Sequence, residues 1–159
     1  MHDLILYRAP RTTDAQWLLA LFTSASPGRE HLPHDMLELQ EHLQRQQWSS
    51  HWGDGESIVE RDGAPVARIW VAWGASGVRV VDLSVAPGLR GEGLGRGIMS
   101  DLCDAADAAG LALELSVNTD NAVARHLYES LDFQPCMNAG DTSGLSLTMK
   151  RAAKEETIS

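Results

Sequence analysis

Glycines occupy alternate positions near the middle of this chain and are flanked by two arginines, a pattern that could bind an anionic group. Gly91, Gly93 and Gly95 lie between Arg90 and Arg96. Glycines lack the β-carbons that would keep an anion away from the main chain, so successive backbone N–H groups can converge on it. The two arginines add charge-assisted hydrogen-bond donors. The segment therefore predicts a loop that binds a phosphate, and specifically a pyrophosphate.

The residues on either side predict the elements that hold this loop. Residues 80–85 have the apolar, β-branched composition of a strand, which Pro87 and Gly88 interrupt. Apolar residues recur at helical spacing from about residue 95 to residue 109. The loop would thus open a helix, whose positive dipole end favours an anion at the same place.

Two better-known phosphate loops do not fit the segment. The dinucleotide motif G-x-G-x-x-G needs glycine as its sixth residue, but Arg96 or Ile98 stands there when the motif starts at Gly91 or Gly93. The P-loop ends in Gly-Lys-Ser/Thr, and the first lysine of this chain is Lys150. A different class of phosphate-binding loop is therefore indicated.

The pattern V-x-P-x-x-R-G-x-G-x-G over residues 85–95 resembles the acyl-CoA loop of the GCN5-related N-acetyltransferase (GNAT) family. The motif of that family, R/Q-x-x-G-x-G/A, is filled here by Arg90, Gly93 and Gly95. Residues 111–133 resemble the next block of the family, which is a strand, an asparagine-bearing turn, a helix with Leu-Tyr-Glu and a closing Gly-Phe. Asn121 precedes Tyr128 by seven residues, as is usual in the family.

One position departs from the family pattern. Asp132 stands where the family usually has the glycine that ends this helix. Glycine is favoured there because helices often stop in a left-handed conformation, which aspartate adopts less readily. The end of this helix is therefore where we expect a difference, and no catalytic assignment depends on it.

The resemblance implies an α/β (α+β) fold with one GNAT domain over residues 1–150 and a polar tail over residues 151–159. A mixed central sheet of about six to seven strands would be flanked by helices and splayed between its fourth and fifth strands. Acetyl-CoA would be the acetyl donor, and its pantetheine arm would fill the gap between the splayed strands. Acetyl would pass directly to an amine in a ternary complex.

The resemblance also implies roles for particular residues. Backbone groups of Leu83 and Val85 would bind the pantetheine arm like an added strand, and the Val85 amide would polarise the thioester carbonyl. The Asn121 side chain would bind the arm from the other side. Tyr128 would protonate the departing thiolate, since a phenol with a pKa of about 10 stays protonated near neutrality. The implied cofactor-binding set is Leu83, Val85, Arg90, Gly91, Gly93, Leu94, Gly95, Arg96, Asn121 and Tyr128.

The group that deprotonates the incoming amine is less well defined. Asp82 is the carboxylate within the predicted central strand, on the face opposite Leu83 and Val85. It could be the catalytic base, a substrate anchor or a structural hydrogen-bond acceptor. Glu114 on the next strand is a weaker candidate.

The net charge of the chain bears on which molecule would accept the acetyl group. The formal net charge of −9 argues against nonspecific binding of nucleic acid and favours encounter with a cationic amine, although acidity also serves solubility. A small cationic amine is the favoured acceptor. Acetylation of a protein N-terminus or lysine, and a non-catalytic acyl-CoA-binding regulatory module, remain alternatives. Retention of Asn121 and Tyr128 favours an enzyme, and a homodimer is possible because dimers are common in the family.

The remaining composition predicts a cytoplasmic protein without a membrane span or a metal. No apolar run approaches the roughly 20 residues that a bilayer span requires, and the start of the chain lacks signal-peptide features. The histidines show no paired-ligand spacing. Two cysteines are too few for a disulfide framework, and Cys103 falls on an apolar helix face, which predicts burial.

Further elements follow from local patterns. Residues 4–8 predict a first strand, and Thr12 or Thr13 would cap a helix with a core-facing Trp17. A second helix is predicted over about residues 34–47, followed by a loop rich in tryptophan and histidine. An Asp-Gly pair at residues 62–63 predicts a hairpin turn. The last strands are predicted at residues 133–137 and 145–150. Packing is the first interpretation of Trp48 and Trp52, and lining of a substrate pocket is the second.

Overall fold

The computed structural model describes residues 4–136 and 144–155, in which seven strands and four α-helices form. The strands are β1 (Ile5–Arg8), β2 (Glu56–Arg61), β3 (Ala64–Trp73), β4 (Val78–Val85), β5 (Leu113–Asn118), β6 (Gln134–Pro135) and β7 (Ser146–Arg151). The helices are α1 (Ala15–Ser24), α2 (His34–Trp52), α3 (Leu94–Ala109) and α4 (Ala122–Ser130).

The strands form one mixed sheet in the order β1-β2-β3-β4-β5-β7-β6. The pair β4–β5 is parallel, and the pairs β1–β2, β2–β3, β5–β7 and β6–β7 are antiparallel. Within the described residues, β4 and β5 pair only through Val78, Arg79 and Val80 opposite Leu113, Glu114 and Leu115. Pairing at the N-terminal ends alone confirms the predicted splay between the fourth and fifth strands.

The chain divides into two compact units, one of Met1–Val71 with Asp82–Gly95 and one of Ala72–Val81 with Arg96–Ser159. The core of the first unit is formed by apolar side chains of α1, α2, β2 and β3. Its buried members are Leu18, Leu21, Phe22, Leu37, Ile58, Val59, Val66, Ala67, Ile69 and Trp70. The core of the second unit includes Ile98, Met99 and Cys103 of α3, together with Leu113, Leu115, Phe133 and Met149. Burial of Cys103 was predicted and is confirmed.

The hairpin β2–β3 confirms the predicted Asp-Gly turn. Asp62 and Gly63 both have positive φ angles, 54° and 84°. Positive φ at both central residues is the geometry of the type I′ turn, whose twist matches that of the strands. The turn sets the pairing of Arg61 with Ala64 and of Glu60 with Pro65, and an irregularity between Val59 and Glu60 then shifts the register so that Ile58 lies opposite Arg68.

The start of the first helix differs from the prediction. Neither threonine is the N-cap of α1; Thr12–Asp14 forms a 3₁₀ turn, and α1 begins at Ala15. The buried Asp14 accepts a hydrogen bond from the Arg11 backbone N–H at 2.6 Å and from Arg8 at 2.8 Å. The charge-assisted hydrogen bonds of the Asp14 carboxylate are stronger than those of a threonine hydroxyl, which explains why α1 begins after Asp14 rather than after a threonine. Trp17 is half-buried rather than a fully buried core residue.

The second helix is longer than predicted. α2 continues to Trp52, so residues 48–52 are helical and the loop begins at Gly53. Trp48 packs edge to face against Trp70, with ring centroids 5.6 Å apart, and this contact holds the last turns against the sheet. Gly53 ends the helix with a φ of 86°, and its N–H donates to the Ser49 carbonyl.

The end of α4 resolves the question raised by Asp132. Asp132 has a φ of 73°, so it takes the left-handed conformation that the family assigns to glycine. Its N–H donates to the Glu129 carbonyl at 3.1 Å, and its carboxylate contacts Lys154. The helix thus ends as glycine would end it, because aspartate tolerates this conformation better than most residues.

The C-terminal strand runs one residue further than predicted. Arg151 ends β7 and is buried, with its guanidinium donating to both carboxylate oxygens of Asp107 on α3, at 2.8 and 3.0 Å. β6 is limited to Gln134–Pro135. The predicted strand end at residue 137, the following connection through residue 143 and the tail after residue 155 lie outside the described residues. No described helix is long and apolar enough to cross a membrane.

Candidate active site

The glycine loop lies at the end of β4 and leads directly into α3. Gly91 and Gly93 have φ angles of 84° and 86°, in the left-handed region that favours glycine. A β-carbon placed on either residue would meet no atom within 4 Å. The main chain is therefore open to solvent at both positions, as a ligand that approaches the backbone requires. Glycine backbone beside arginine side chains and a helix N-terminus fits an anionic group.

Arg90 is fixed beside the end of β4. Its Nε donates to the Val85 carbonyl at 3.1 Å, and its Nη2 donates to Ser24 Oγ at 3.3 Å. The Val85 carbonyl thus accepts a hydrogen bond from the protein. The loop carboxylate, Glu92, lies 3.7 Å from Arg61, so its charge is partly offset.

The predicted residues of the second unit lie on α3 and α4. Asn121 is the N-cap of α4, where its Oδ1 accepts a hydrogen bond from the Ala124 N–H at 3.1 Å. Its side-chain NH₂ remains the group with which it could donate to a ligand. Tyr128 is half-buried in the last turns of α4, with its ring centroid 5.7 Å from that of Phe133. Arg96 is exposed and donates to Ser130 Oγ at 2.9 Å.

Asp82 is held in place by two donors. Arg68 Nη2 and Ser84 Oγ both donate to Asp82 Oδ2, at 2.7 and 2.8 Å. The other carboxylate oxygen accepts no hydrogen bond from residues 4–136 or 144–155. An oriented carboxylate with one oxygen open is suited to receive a cation or a proton, and the strand places it one residue before Leu83.

Arg68 belongs to a larger line of charges across the first unit. Its side chain is 6% exposed, its Nη1 lies 3.6 Å from Glu56 Oε2, and its guanidinium lies over the Trp48 ring at 5.4 Å from the centroid. Glu56 in turn pairs with Arg45, which also pairs with Glu41 at 2.7 Å. Burial raises the pKa of Glu56, although the neighbouring Arg45 and Arg68 lower it. The line therefore connects α2, β2, β3 and β4 through ionised side chains.

The sequence analysis missed this line of charges, apart from Asp82. An available signal was Arg68 itself, which interrupts the apolar strand segment of residues 64–73. A buried arginine requires carboxylate partners. Their identity was not visible, because the partners come from strands and a helix far along the chain.

An acidic groove lies between α1 and α2. Its volume is about 1170 Å³, and Ser24, the partner of Arg90, lies on its wall. The charged side chains of the groove are carboxylates, namely Glu30, Asp35, Glu38 and Glu41, and two histidines accompany them. Such a lining attracts cations.

Metal and thiol chemistry receive no support from the described side chains. Residues 4–136 and 144–155 contain no group of three or more His, Cys, Asp or Glu side chains arranged to hold a metal ion. The Cys103 thiol is buried, and burial raises its pKa, which disfavours the reactive thiolate.

The class of the protein follows from its match to a family of acyltransferases. The model of the Acetyltransferase (GNAT) family matches residues 16–133, so the chain belongs to this family. The expected family resemblance is therefore confirmed.

Individual proteins resemble parts or all of the chain. A mycothiol acetyltransferase from Beutenbergia cavernae is 42% identical over 77 residues, which cover 46% of this chain and 26% of that protein. A streptothricin acetyltransferase from Streptomyces lavendulae is 35% identical over 100 residues, which cover 52% of each protein. The chain thus spans about a quarter and about half of the lengths of these two relatives.

A solved structure is similar over nearly the whole chain. The PaiA N-acetyltransferase from Thermoplasma acidophilum, in complex with coenzyme A, has a TM-score of 0.66 and 16% identity. The match covers 94% of this chain and 99% of that chain. At this identity the likeness establishes the fold alone.

Proposed function

We propose that this protein is an acetyl-CoA-dependent N-acetyltransferase that transfers acetyl directly to a primary amine. The observation that carries the proposal is the open glycine loop, with left-handed Gly91 and Gly93 between Arg90 and the start of α3. Membership of the GNAT family supports the donor, and the coenzyme A complex of a protein with the same fold is consistent with it.

The residues that would hold acetyl-CoA are those that the family motif identifies. Arg90 and Arg96 would donate to the pyrophosphate, together with backbone N–H groups from Gly91 through Gly95. Leu83 and Val85 would contribute main-chain hydrogen bonds to the pantetheine arm. Asn121 would donate through its side-chain NH₂, because its Oδ1 caps α4.

When bound, acetyl-CoA supplies an activated acetyl group as a thioester. The Val85 N–H would donate to the thioester carbonyl oxygen, which becomes more negative as the amine nitrogen forms its bond to the carbonyl carbon. The carbon–sulfur bond breaks, and Tyr128 would give its phenolic proton to the departing sulfur. Asp82, through its open oxygen, would take the proton that the ammonium of the acceptor must lose before its nitrogen can attack, or would anchor that ammonium.

A small cationic amine is the proposed acceptor. The groove between α1 and α2 supports this choice, because it is lined by four carboxylates and reaches Ser24 beside Arg90. The chain as a whole is acidic, with a formal net charge of −9. The names of the two relatives specify different acceptors, mycothiol and streptothricin, so relatedness alone leaves the acceptor open.

Release of free coenzyme A thiol from acetyl-CoA tests the proposal. The assay is run against polyamines, aminoglycosides, amino acids and short basic peptides. We expect turnover with the small cationic amines. Turnover with peptides alone would favour a protein acceptor. Silence across the panel, with acetyl-CoA still raising the melting temperature, would favour the regulatory module.

A further inference from the structure

The arginines of the described residues differ in whether a carboxylate neutralises them. Most form an ion pair, namely Arg8, Arg45, Arg61, Arg68, Arg79 and Arg151. Those that form no ion pair with residues 4–136 or 144–155 are Arg11, Arg29, Arg90, Arg96 and Arg125. Two of these, Arg90 and Arg96, flank the glycine loop, where the proposed function gives them a phosphate to bind. An unpaired arginine in a chain with a formal net charge of −9 is therefore a candidate for binding an anion.

Arg29 lies just after α1 and is held against the last turns of that helix. Its Nη1 donates to the Phe22 carbonyl at 2.7 Å, and its guanidinium carbon lies 3.8 Å from the centroid of the Phe22 ring. The residue is half-buried, and the loss of water lowers the pKa of its guanidinium. Its Nε and Nη2 donate to no described residue, yet neither atom is buried. A ligand can therefore reach donors that Phe22 already holds in place.

The adjacent carboxylate does not neutralise Arg29. Glu30 Oε2 accepts a hydrogen bond from the Gly28 N–H at 3.1 Å, and Glu30 Oε1 lies 3.5 Å from His31 Nε2. Glu30 lines the acidic groove between α1 and α2, whereas Arg29 does not. Arg29 thus keeps its positive charge outside the groove that is proposed for the cationic acceptor.

A second unpaired arginine contacts the same end of α1. Arg90 Nη2 donates to Ser24 Oγ at 3.3 Å, and Ser24 lies two residues after Phe22, the partner of Arg29. The negative end of the α1 dipole offsets part of these two positive charges. A pyrophosphate carries negative charge on both of its phosphates, so it could accept from a guanidinium at each. A cationic acceptor would instead be repelled, which favours the acetyl donor as the ligand.

We propose that Arg29 donates to the pyrophosphate of acetyl-CoA beside Arg90. The connection between α1 and α2 would thereby contribute a cofactor-binding residue that lies outside the family motif. This inference rests on the proposed use of acetyl-CoA and extends its binding site beyond the glycine loop.

Isothermal titration calorimetry with the full chain tests the proposal without any acetyl transfer. The probes are coenzyme A and dephospho-coenzyme A, which keeps the pyrophosphate and lacks the 3′-phosphate. Arg29→Gln should weaken the binding of both probes by about tenfold at low ionic strength, because charge-assisted hydrogen bonds are lost. The difference from the wild type should shrink in about 1 M salt, since an accessible charge pair is screened there.

Arg11→Gln is the matched control, because it removes the same charge at the opposite end of α1. Arg11 is exposed and precedes the helix, whose 10 residues span about 15 Å. This variant should bind both probes as the wild type does. If Arg29→Gln does not fold, Arg29→Lys replaces it. Lysine keeps the charge but lacks the planar fork of donors, and about threefold weaker binding of both probes is expected.

Three results would overturn the inference. One is affinity for both probes that is unchanged in Arg29→Gln, or in Arg29→Lys where it is used; a lower melting temperature alone would mean that Arg29 only caps α1. Another is a loss confined to coenzyme A, which would place Arg29 at the 3′-phosphate. The third is a wild type that binds neither probe. That last result would also refute the use of acetyl-CoA, whereas the first two leave the proposed function intact.

Discussion

Replacement of Gly93 by alanine tests the glycine loop. Gly93 has a φ of 86°, and alanine in that left-handed conformation costs about 1–2 kcal/mol. If the loop relaxes in the free protein, ligand binding must restore the strained conformation. That cost corresponds to about a 5- to 30-fold loss of acetyl-CoA affinity.

If the loop instead keeps its shape, the strain appears as lower stability, and the new methyl group projects into the open space beside the backbone. Acetyl-CoA affinity falls in this case too, because the methyl keeps the pyrophosphate from the main chain. Isothermal titration calorimetry measures the affinity, and thermal unfolding of the free protein distinguishes the two cases.

Gly88→Ala provides the matched control. Gly88 lies in the 3₁₀ turn just before the loop, does not have a positive φ, and has no atom within 4 Å of an added β-carbon. The control should change neither affinity nor melting temperature appreciably. If Gly93→Ala binds acetyl-CoA as tightly as the control does, the loop is not the pyrophosphate site.

Three further substitutions test other parts of the molecule. Tyr128→Phe should lower kcat by about a hundredfold with little change in acetyl-CoA affinity, and an unchanged kcat in the thiol-release assay from pH 6 to 9 would remove Tyr128 as the acid. Asp14→Asn should reduce the free energy of unfolding at pH 7 by about 1–2 kcal/mol, since Arg8 lowers the Asp14 pKa to about 2. This contribution is present above the unfolded pKa near 4 and is lost as the pH falls toward 2, so urea titrations showing equal losses at pH 7 and pH 2 would contradict it. Asp132→Gly should raise the melting temperature by relieving the left-handed strain, because the exposed contact with Lys154 contributes little, and a lower melting temperature would show this reasoning to be wrong.

Local signals predicted the loop and the hairpin well. Gly91 and Gly93 are needed for their own φ angles, and Asp62 with Gly63 defines a turn without reference to any distant residue. The end of α2 was predicted less well, because residues 48–52 owe their helical conformation to packing of Trp48 on Trp70, 22 positions further along the chain. Helix propensity depends on the residues of the segment itself and therefore does not reflect such a contact.

The candidate site was predicted only as far as the family motif extends. The sequence analysis singled out Asp82 as an unusual strand residue and left three roles open. In the structure, Arg68 and Ser84 both donate to one oxygen of the Asp82 carboxylate, and the other oxygen stays open. Strand register decides which side chains meet across a sheet, and register could not be read from the sequence.

The line of charges from Glu41 to Asp82 is difficult to explain by stability alone. Burying ion pairs is costly, and well-packed apolar residues often serve stability as well or better. The chain nevertheless keeps Arg68 buried between Glu56 and Asp82, with Trp48 over its guanidinium. An arginine in that position fixes the orientation of both carboxylates at once. Such an arrangement is useful where the Asp82 carboxylate must keep one oxygen open on the strand that carries Leu83 and Val85.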